Sequence, residues 1–241
     1  MSDQHRALLL TRRRLFGLIA VTATGGAFFS AAQFRQMRPA VAASGRLITG
    51  AGVCAIMPET TEGPFYADPD LVRADITEGK QGMRLRLRLQ VVDAVCEPLS
   101  GARVDIWHCD ADGAYSGYPR QPGGLDTTGQ TFLRGTQTAD ADGVATFHTI
   151  FPGWYPGRTP HIHFKAFPVE GQVLTGQLFF PDDLSREIYA TLPPYSARGL
   201  EGATFNDRDG IARRAGPAAL AELARDGEAL DAALVAAVAT G

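Results

Sequence analysis

"MRLRLRLQV", Met83 to Val91, is the stretch whose reading decides the fold. Apolar residues stand at 83, 85, 87, 89 and 91, and Arg84, Arg86, Arg88 and Gln90 fill the positions between. Side chains along a strand point alternately to opposite faces, so a period of two defines a strand with one face on a core and one in water. Strands of that kind belong to antiparallel sheets.

Working outward, the same grammar repeats. "CEPLSGA" (96–102) is a turn, and "RVDIWH" (103–108) is the next strand, with Val104, Ile106 and His108 on one face. "DADG" (140–143) is a turn before the strand "VATFHTIF" (144–151). "HIHFKAF" (161–167) and "QVLTGQLFF" (172–180) follow, separated by "PVEG". Short strands punctuated by turn signals predict an all-β sandwich or barrel. Long loops rich in Gly, Pro and Tyr are expected at 110–131, 152–160 and 193–207, and loops of such length usually carry function. "DDLSREIYATL" (182–192) reads as a short helix with an acidic start. The Ala/Leu-rich tail from Pro217 onward reads as helix on propensity alone.

The chain has 241 residues, 45% apolar and 20% charged, which suits one domain with a real core. Its formal net charge is -3 and no basic tract lies outside the first residues, so nucleic acid is not an expected partner. Residues 1–42 differ in kind. Arg12, Arg13 and Arg14 precede an apolar run broken by Thr and Gly, and Ala40-Val41-Ala42 offers a small-residue cleavage site. This is expected to be a twin-arginine-type signal peptide, with an uncleaved membrane anchor as the alternative. Its removal takes away six arginines and one aspartate. Residues 43–241 would then be an acidic exported domain, periplasmic or secreted, with no membrane contact. Cys54, Cys96 and Cys109 allow three pairings and leave one thiol over, and none shows a zinc-type CxxC spacing.

The chemistry concentrates in "PGWYPGRTPHIHF" (152–164). His161 and His163 are two apart on a strand, so both imidazoles share a face and can reach one ion. By themselves they fit equally two half-buried histidines bonded to neighbours, or a zinc or copper site. Tyr155 shifts that reading. Phenolate is a hard anionic donor, and imidazoles with phenolates favour Fe(III), whereas zinc typically takes Cys, His or carboxylate. A second anionic donor is then needed, and "DADGAYSGY" (110–118) offers Tyr115 and Tyr118 in a Gly-rich loop. The alternative for that loop is a Ca²⁺ turn using Asp110 and Asp112, without the downstream Glu of an EF-hand.

Together "TEGPFY" (61–66), "VDIWHCDADGAYSGY" (104–118), "FLRGTQTADADGVATFHTIFPGWYPGR" (132–158) and "RTPHIHF" (158–164) resemble the intradiol ring-cleavage dioxygenases, the catechol and protocatechuate enzymes and their exported single-domain relatives. The resemblance runs from about Glu59 to about Asn206. It implies an antiparallel β-sandwich with long active-site loops and little helix. It implies ferric iron held by Tyr115, Tyr155, His161 and His163, with Tyr155 and His163 axial; Tyr118 lies past the matching tyrosine. It implies that Arg158 stabilises the anion developing on the substrate, and that Gln177 supports the site near His161. Thr61, Gly63 and Pro64 match a segment lining the substrate pocket. The implied reaction is cleavage of a catechol-type diol by O₂ to a cis,cis-muconate-type diacid, with Tyr155 serving as ligand and then as base. A homodimer is expected on the same ground.

Three departures bear on it. The helical linker domain of the catechol type is not expected here, for lack of room before the matching region. The run from Tyr155 to His161 is short, and Gly157 stands where the protocatechuate type has a bulky aromatic, so the pocket is expected to be more open. The resemblance also makes 229–239 a strand, against its helix-favouring composition. The rival readings are a non-catalytic exported sandwich that binds aromatics or metal, and a metallohydrolase built on His161 and His163.

Overall fold

The computed structural model describes Leu47, residues 57–68 and residues 70–238. The expected signal peptide (1–42) and Cys54 lie outside the described residues. Among those described, no helix is long and apolar enough to cross a membrane.

Eight strands form two four-stranded sheets: β1 (Arg84–Val92), β2 (Arg103–Trp107), β3 (Arg134–Thr138), β4 (Val144–Ile150), β5 (His161–Phe167), β6 (Leu174–Phe179), β7 (Glu222–Asp226) and β8 (Ala229–Ala237). Two short helices, α1 (Asp182–Thr191) and α2 (Gly210–Ala215), lie between β6 and β7. One sheet has the order β4-β1-β8-β7 and the other β3-β2-β5-β6. This is the expected β-sandwich. Every pairing of named strands is antiparallel except β1 with β8, which run parallel.

The core lies between the sheets. Leu85, Leu87, Leu89 and Val91 of β1 face Val104 and Ile106 of β2, Ile162 and Phe164 of β5, and Leu178 of β6 in one buried cluster. Each fully buried leucine or phenylalanine contributes about 1.5–3 kcal/mol relative to exposure. Phe164 lies opposite Gly176, where a Cβ would sit 2.2 Å from its ring, so the glycine makes room for the aromatic.

The other face of β1 is less wet than its alternation predicts. Gln90 is fully buried and bonds the Leu47 amide and the Asp142 carbonyl. Asp231 on β8 pairs with both Arg86 and Arg88, so the neighbouring strand offsets part of the charge of the arginine row.

Three elements need tertiary structure to explain them. β3, "RGTQT", lacks apolar alternation, yet it forms because β2 offers it a full register from Arg103↔Thr138 to Trp107↔Arg134. The tail is not helical. Leu230, Ala232, Leu234 and Ala236 alternate into the core, and β8 finds partners on both sides, β1 and β7. Two ladders of backbone bonds outweigh a propensity preference of a few tenths of a kcal/mol per residue. α2 is the third; Asp209 caps it, accepting from the Ile211 and Ala212 amides. The strand expected at 229–239 is β8, Ala229–Ala237, and the helix expected at 182–192 is α1, Asp182–Thr191.

Candidate metal centre

The outer face of the β3-β2-β5-β6 sheet carries the site. Ile162, Phe164 and Ala166 of β5 point into the core, so His161 and His163 point the other way. Trp107 pairs with His163 across β2 and stacks on its ring at 4.9 Å between centroids. Gln177 lies opposite His163 on β6.

The loop before β5 is held by a tight turn. Arg158 N donates to Tyr155 O at 3.2 Å, with Pro156 second and Gly157 third at φ +84°. Pro then Gly at those places is the pattern of a type II turn. The turn sets Tyr155 and Arg158 side by side, Nη1 lying 3.5 Å from the phenol oxygen.

Tyr115 comes from the loop after β2. Gln121 grips its backbone on both sides, accepting from Tyr115 N and donating to Tyr115 O, each at 2.7 Å. Asp110 accepts from the Asp112 and Ala114 amides and is bound by Lys80 at 2.8 Å. That carboxylate shapes the loop, and the Ca²⁺ reading has no support from it. Tyr118 turns away and donates to the Tyr66 carbonyl.

The four expected ligands meet. The Tyr115 and Tyr155 hydroxyls lie 3.4 and 3.2 Å from His161 Nε2, and His163 Nε2 lies 3.1 Å from the same atom. Tyr115, His161 and His163 are buried; Tyr155 is partly open. The Thr159 carbonyl, 2.6 Å from His161 Nδ1, requires the proton there, so Nε2 presents its lone pair to the site. Burial, then neighbouring Arg158, pushes the His161 pKa down to about 3, and burial with His161 beside it takes His163 well below the usual range. Both imidazoles are neutral. Burial also raises both phenols, Tyr115 most.

That donor set fits a metal ion. Two neutral imidazole nitrogens facing each other at 3.1 Å can share a cation between them. Donors bound to one ion at about 2.1 Å lie about 3 Å apart, close to the spacing here. His163 Nδ1 and Trp107 Nε1 are buried without a hydrogen-bond partner.

The other expected site residues fall around this group. Gln177 does not bond His161; it accepts from Arg158 Nη2 and donates to the Thr61 carbonyl at 2.7 Å. Gly63, at φ +71°, lies against His163, where a Cβ would sit 3.2 Å from its Cε1. Pro64 is exposed in the following turn. Phe65 stacks on Tyr115 at 4.3 Å. Sequence reasoning missed Gln121, Arg134 and Asp209. Arg134 is buried and donates to the Phe65 and Ser116 carbonyls, tying the two flanking segments together. A helix-start signal, Asp209 before Gly210-Ile211-Ala212, was available for the last of these, but what else its carboxylate touches is set by tertiary structure. Cys109 is a free buried thiol and Cys96 is disulfide-bonded, so the odd cysteine is Cys109.

The fold is thus a two-sheet sandwich with two tyrosines and two histidines converging on its loop-covered face. The family model described as Dioxygenase matches residues 60–191. The solved intradiol ring-cleavage dioxygenase from Tetranychus urticae is 34% identical and superposes with a TM-score of 0.70, covering 77% of this chain and 94% of that one. The dioxygenase domain of a dioxygenase carbohydrate-binding protein fusion from Streptomyces sp. SirexAA-E is 29% identical, with a TM-score of 0.58 over 78% of this chain and 100% of that one. Hydroxyquinol 1,2-dioxygenase of Corynebacterium glutamicum is 29% identical over 150 residues, 54% of this chain and 48% of that enzyme. The protocatechuate 3,4-dioxygenase beta chain of Burkholderia cepacia is 33% identical over 132 residues, 50% of this chain and 54% of that one. The chain belongs to the intradiol ring-cleavage dioxygenase family. It spans about half the length of these last two relatives.

Proposed function

We propose that this protein cleaves a catechol-type ring between its two hydroxyl-bearing carbons with O₂, giving a cis,cis-muconate-type diacid that carries both oxygen atoms. Tyr115, Tyr155, His161 and His163 would hold ferric iron. The observation that carries this reading is the convergence of two phenol oxygens and His163 Nε2 at 3.1–3.4 Å from His161 Nε2. Ferric iron, when bound, would draw electron density from the diol ring and open it to O₂.

The chain's own groups have separable tasks. His161 and His163 stay neutral because burial forbids their charge, and so remain donors. Tyr155 is the most exposed of the four, and as the phenolate that a ferric ion would hold, its Oη can take a diol proton and become the hydroxyl. Arg158, beside that oxygen, is placed to stabilise negative charge on the diol. A Cβ at Gly157 would meet nothing within 4 Å, which supports an open approach and a substrate range wider than protocatechuate alone. The hydrolase reading has less support: among the described residues, no group of three His, Cys, Asp or Glu side chains gathers to hold a metal.

The test is oxygen uptake on catechol, protocatechuate, hydroxyquinol and substituted catechols, with metal analysis and the visible spectrum of the iron-loaded protein. A ferric tyrosinate absorbs visible light; an iron-loaded protein without colour would exclude the ligand set. Coloured protein that takes up no O₂ with any diol would leave the binding-module reading. Tyr155→Phe is expected to lose turnover about 100-fold or more while keeping the fold. Turnover near wild type would remove its role as base.

Export by the twin-arginine route is part of the same proposal. The Arg12–Arg14 run and the disulfide at Cys96 support it. Mass spectrometry of the protein from an extracytoplasmic fraction would show cleavage near Ala42.

A further inference from the structure

Arg158 is held from behind. Its Nε donates to Asp209 Oδ2 at 2.9 Å and its Nη2 to Gln177, while Nη1 faces Tyr155. Asp209 is itself fixed before it meets the arginine. Its side chain is 1% exposed, which leaves no water to compete. The same Oδ2 accepts from Thr159 N at 3.0 Å, and Oδ1 caps α2 through Ile211 N at 2.7 Å and Ala212 N at 3.3 Å. Asp209 lies outside residues 60–191, the span that matches the family model.

We propose that Asp209 is a positioning residue for the substrate-facing Arg158, and that through Thr159 it also anchors the entry to the strand bearing both histidines. The proposal rests on the reading of Arg158 given above. An arginine side chain carries about 2 kcal/mol of rotamer entropy. Bonds to a carboxylate and an amide fix the guanidinium plane in advance, so substrate need not order it. Burial works to raise the Asp209 carboxyl, but Arg158 and the backbone amides outweigh it and hold it below the ordinary range. It therefore meets Arg158 ionised.

A helix cap alone does not require this residue. Asn caps as well as Asp, using one oxygen. What Asn cannot do is accept at the second position, where its NH₂ would face two N–H donors. Asp209→Asn thus separates the cap from the hold on Arg158.

Two readouts decide the matter. The first is the ¹H–¹⁵N spectrum of the full chain freed of paramagnetic metal, with the Arg158 Nε–H peak assigned by its loss in Arg158→Lys. Asp209→Asn is expected to abolish or broaden that peak while the backbone spectrum changes only locally. The second is kcat/KM of the iron-loaded protein on the best diol of the panel. Asp209→Asn should lower it about 10- to 100-fold, Asp209→Glu should recover part of the loss, and Asp209→Asn combined with Arg158→Gln should lose clearly less than the product of the two single losses. A retained Nε–H peak, or losses that multiply fully in the double variant, would overturn the proposal. Where Asp209→Asn does not fold, Asp209→Ser keeps the cap without reaching Arg158, and the same two readouts apply to it. An iron-loaded wild type inert to every diol would defeat the functional reading, and the Nε–H peak would still decide whether Asp209 holds Arg158.

Discussion

At the scale of single residues, glycines decide whether the tyrosines can meet. Gly113 sits in the Tyr115 loop at φ +84°, and a Cβ there would lie 2.3 Å from the Trp154 carbonyl oxygen. Gly153, in the Tyr155 loop, is as tight: its Cβ would lie 2.4 Å from the Asp110 and Ala111 carbonyl oxygens. The two loops therefore pack backbone on backbone here, and Arg198 Nη1 ties their edges by donating to the Asp112 and Trp154 carbonyls. Tyr115 and Tyr155 reach T-shaped contact at 5.8 Å as a result. Gly113→Ala adds both a left-handed backbone penalty and a clash with main chain that cannot swing aside. We expect it to cost about 2–4 kcal/mol in urea unfolding and to weaken iron retention. A variant as stable as wild type, with its full visible band, would show that the loops do not need this approach.

At the scale of elements, β8 and β5 differ in how far local rules reach. His161, His163 and Tyr155 were readable because a strand's period of two and a Pro-Gly turn are local rules. Tyr115 was readable as a candidate, but its convergence with Tyr155 came only from family resemblance, because two strands, β3 and β4, lie between them in the chain. Asp209 and Gln121 were not readable, since nothing local tells which backbone groups a buried carboxylate or amide will meet. In the tail, propensity alone points to helix and the resemblance to strand, and the strand forms for the same reason: its alanines favour helix only while no sheet edges compete. β8 runs between β1 and β7 and places Leu230, Ala232, Leu234 and Ala236 in the core. Truncation after Gly227 would bare the edge of β1 over a full nine-residue strand. We expect that product to be insoluble or unfolded by circular dichroism, whereas a dispensable terminal helix would leave a folded, iron-binding protein.

At the scale of the molecule, the two sheets are joined near the site by a buried histidine that takes no part in it. His108 follows β2 in one sheet; its Nε2 lies 2.7 Å from Thr149 Oγ1 on β4 of the other, and its Nδ1 donates to the Cys109 carbonyl at 2.8 Å. It is fully buried, and burial pushes its pKa down to about 4. The unfolded chain, with a histidine pKa near ~6.5, takes up this proton first as pH falls. The unfolded state then binds more protons than the folded one, so stability is full above about pH 6.5 and declines toward pH 4. At pH 5 the loss from this one group is about 2 kcal/mol, since one pKa unit is worth about 1.4 kcal/mol. Other buried histidines add to the same slope, so the test is a difference between proteins. Urea unfolding at pH 7.5 and pH 5 should show wild type losing about 2 kcal/mol more than His108→Gln, which keeps a polar group at the site but cannot charge. The substitution lowers stability at pH 7.5 and narrows the gap in acid. Parallel losses in the two proteins would mean that His108 already carries its proton in the fold, or that acid unfolds the sandwich elsewhere.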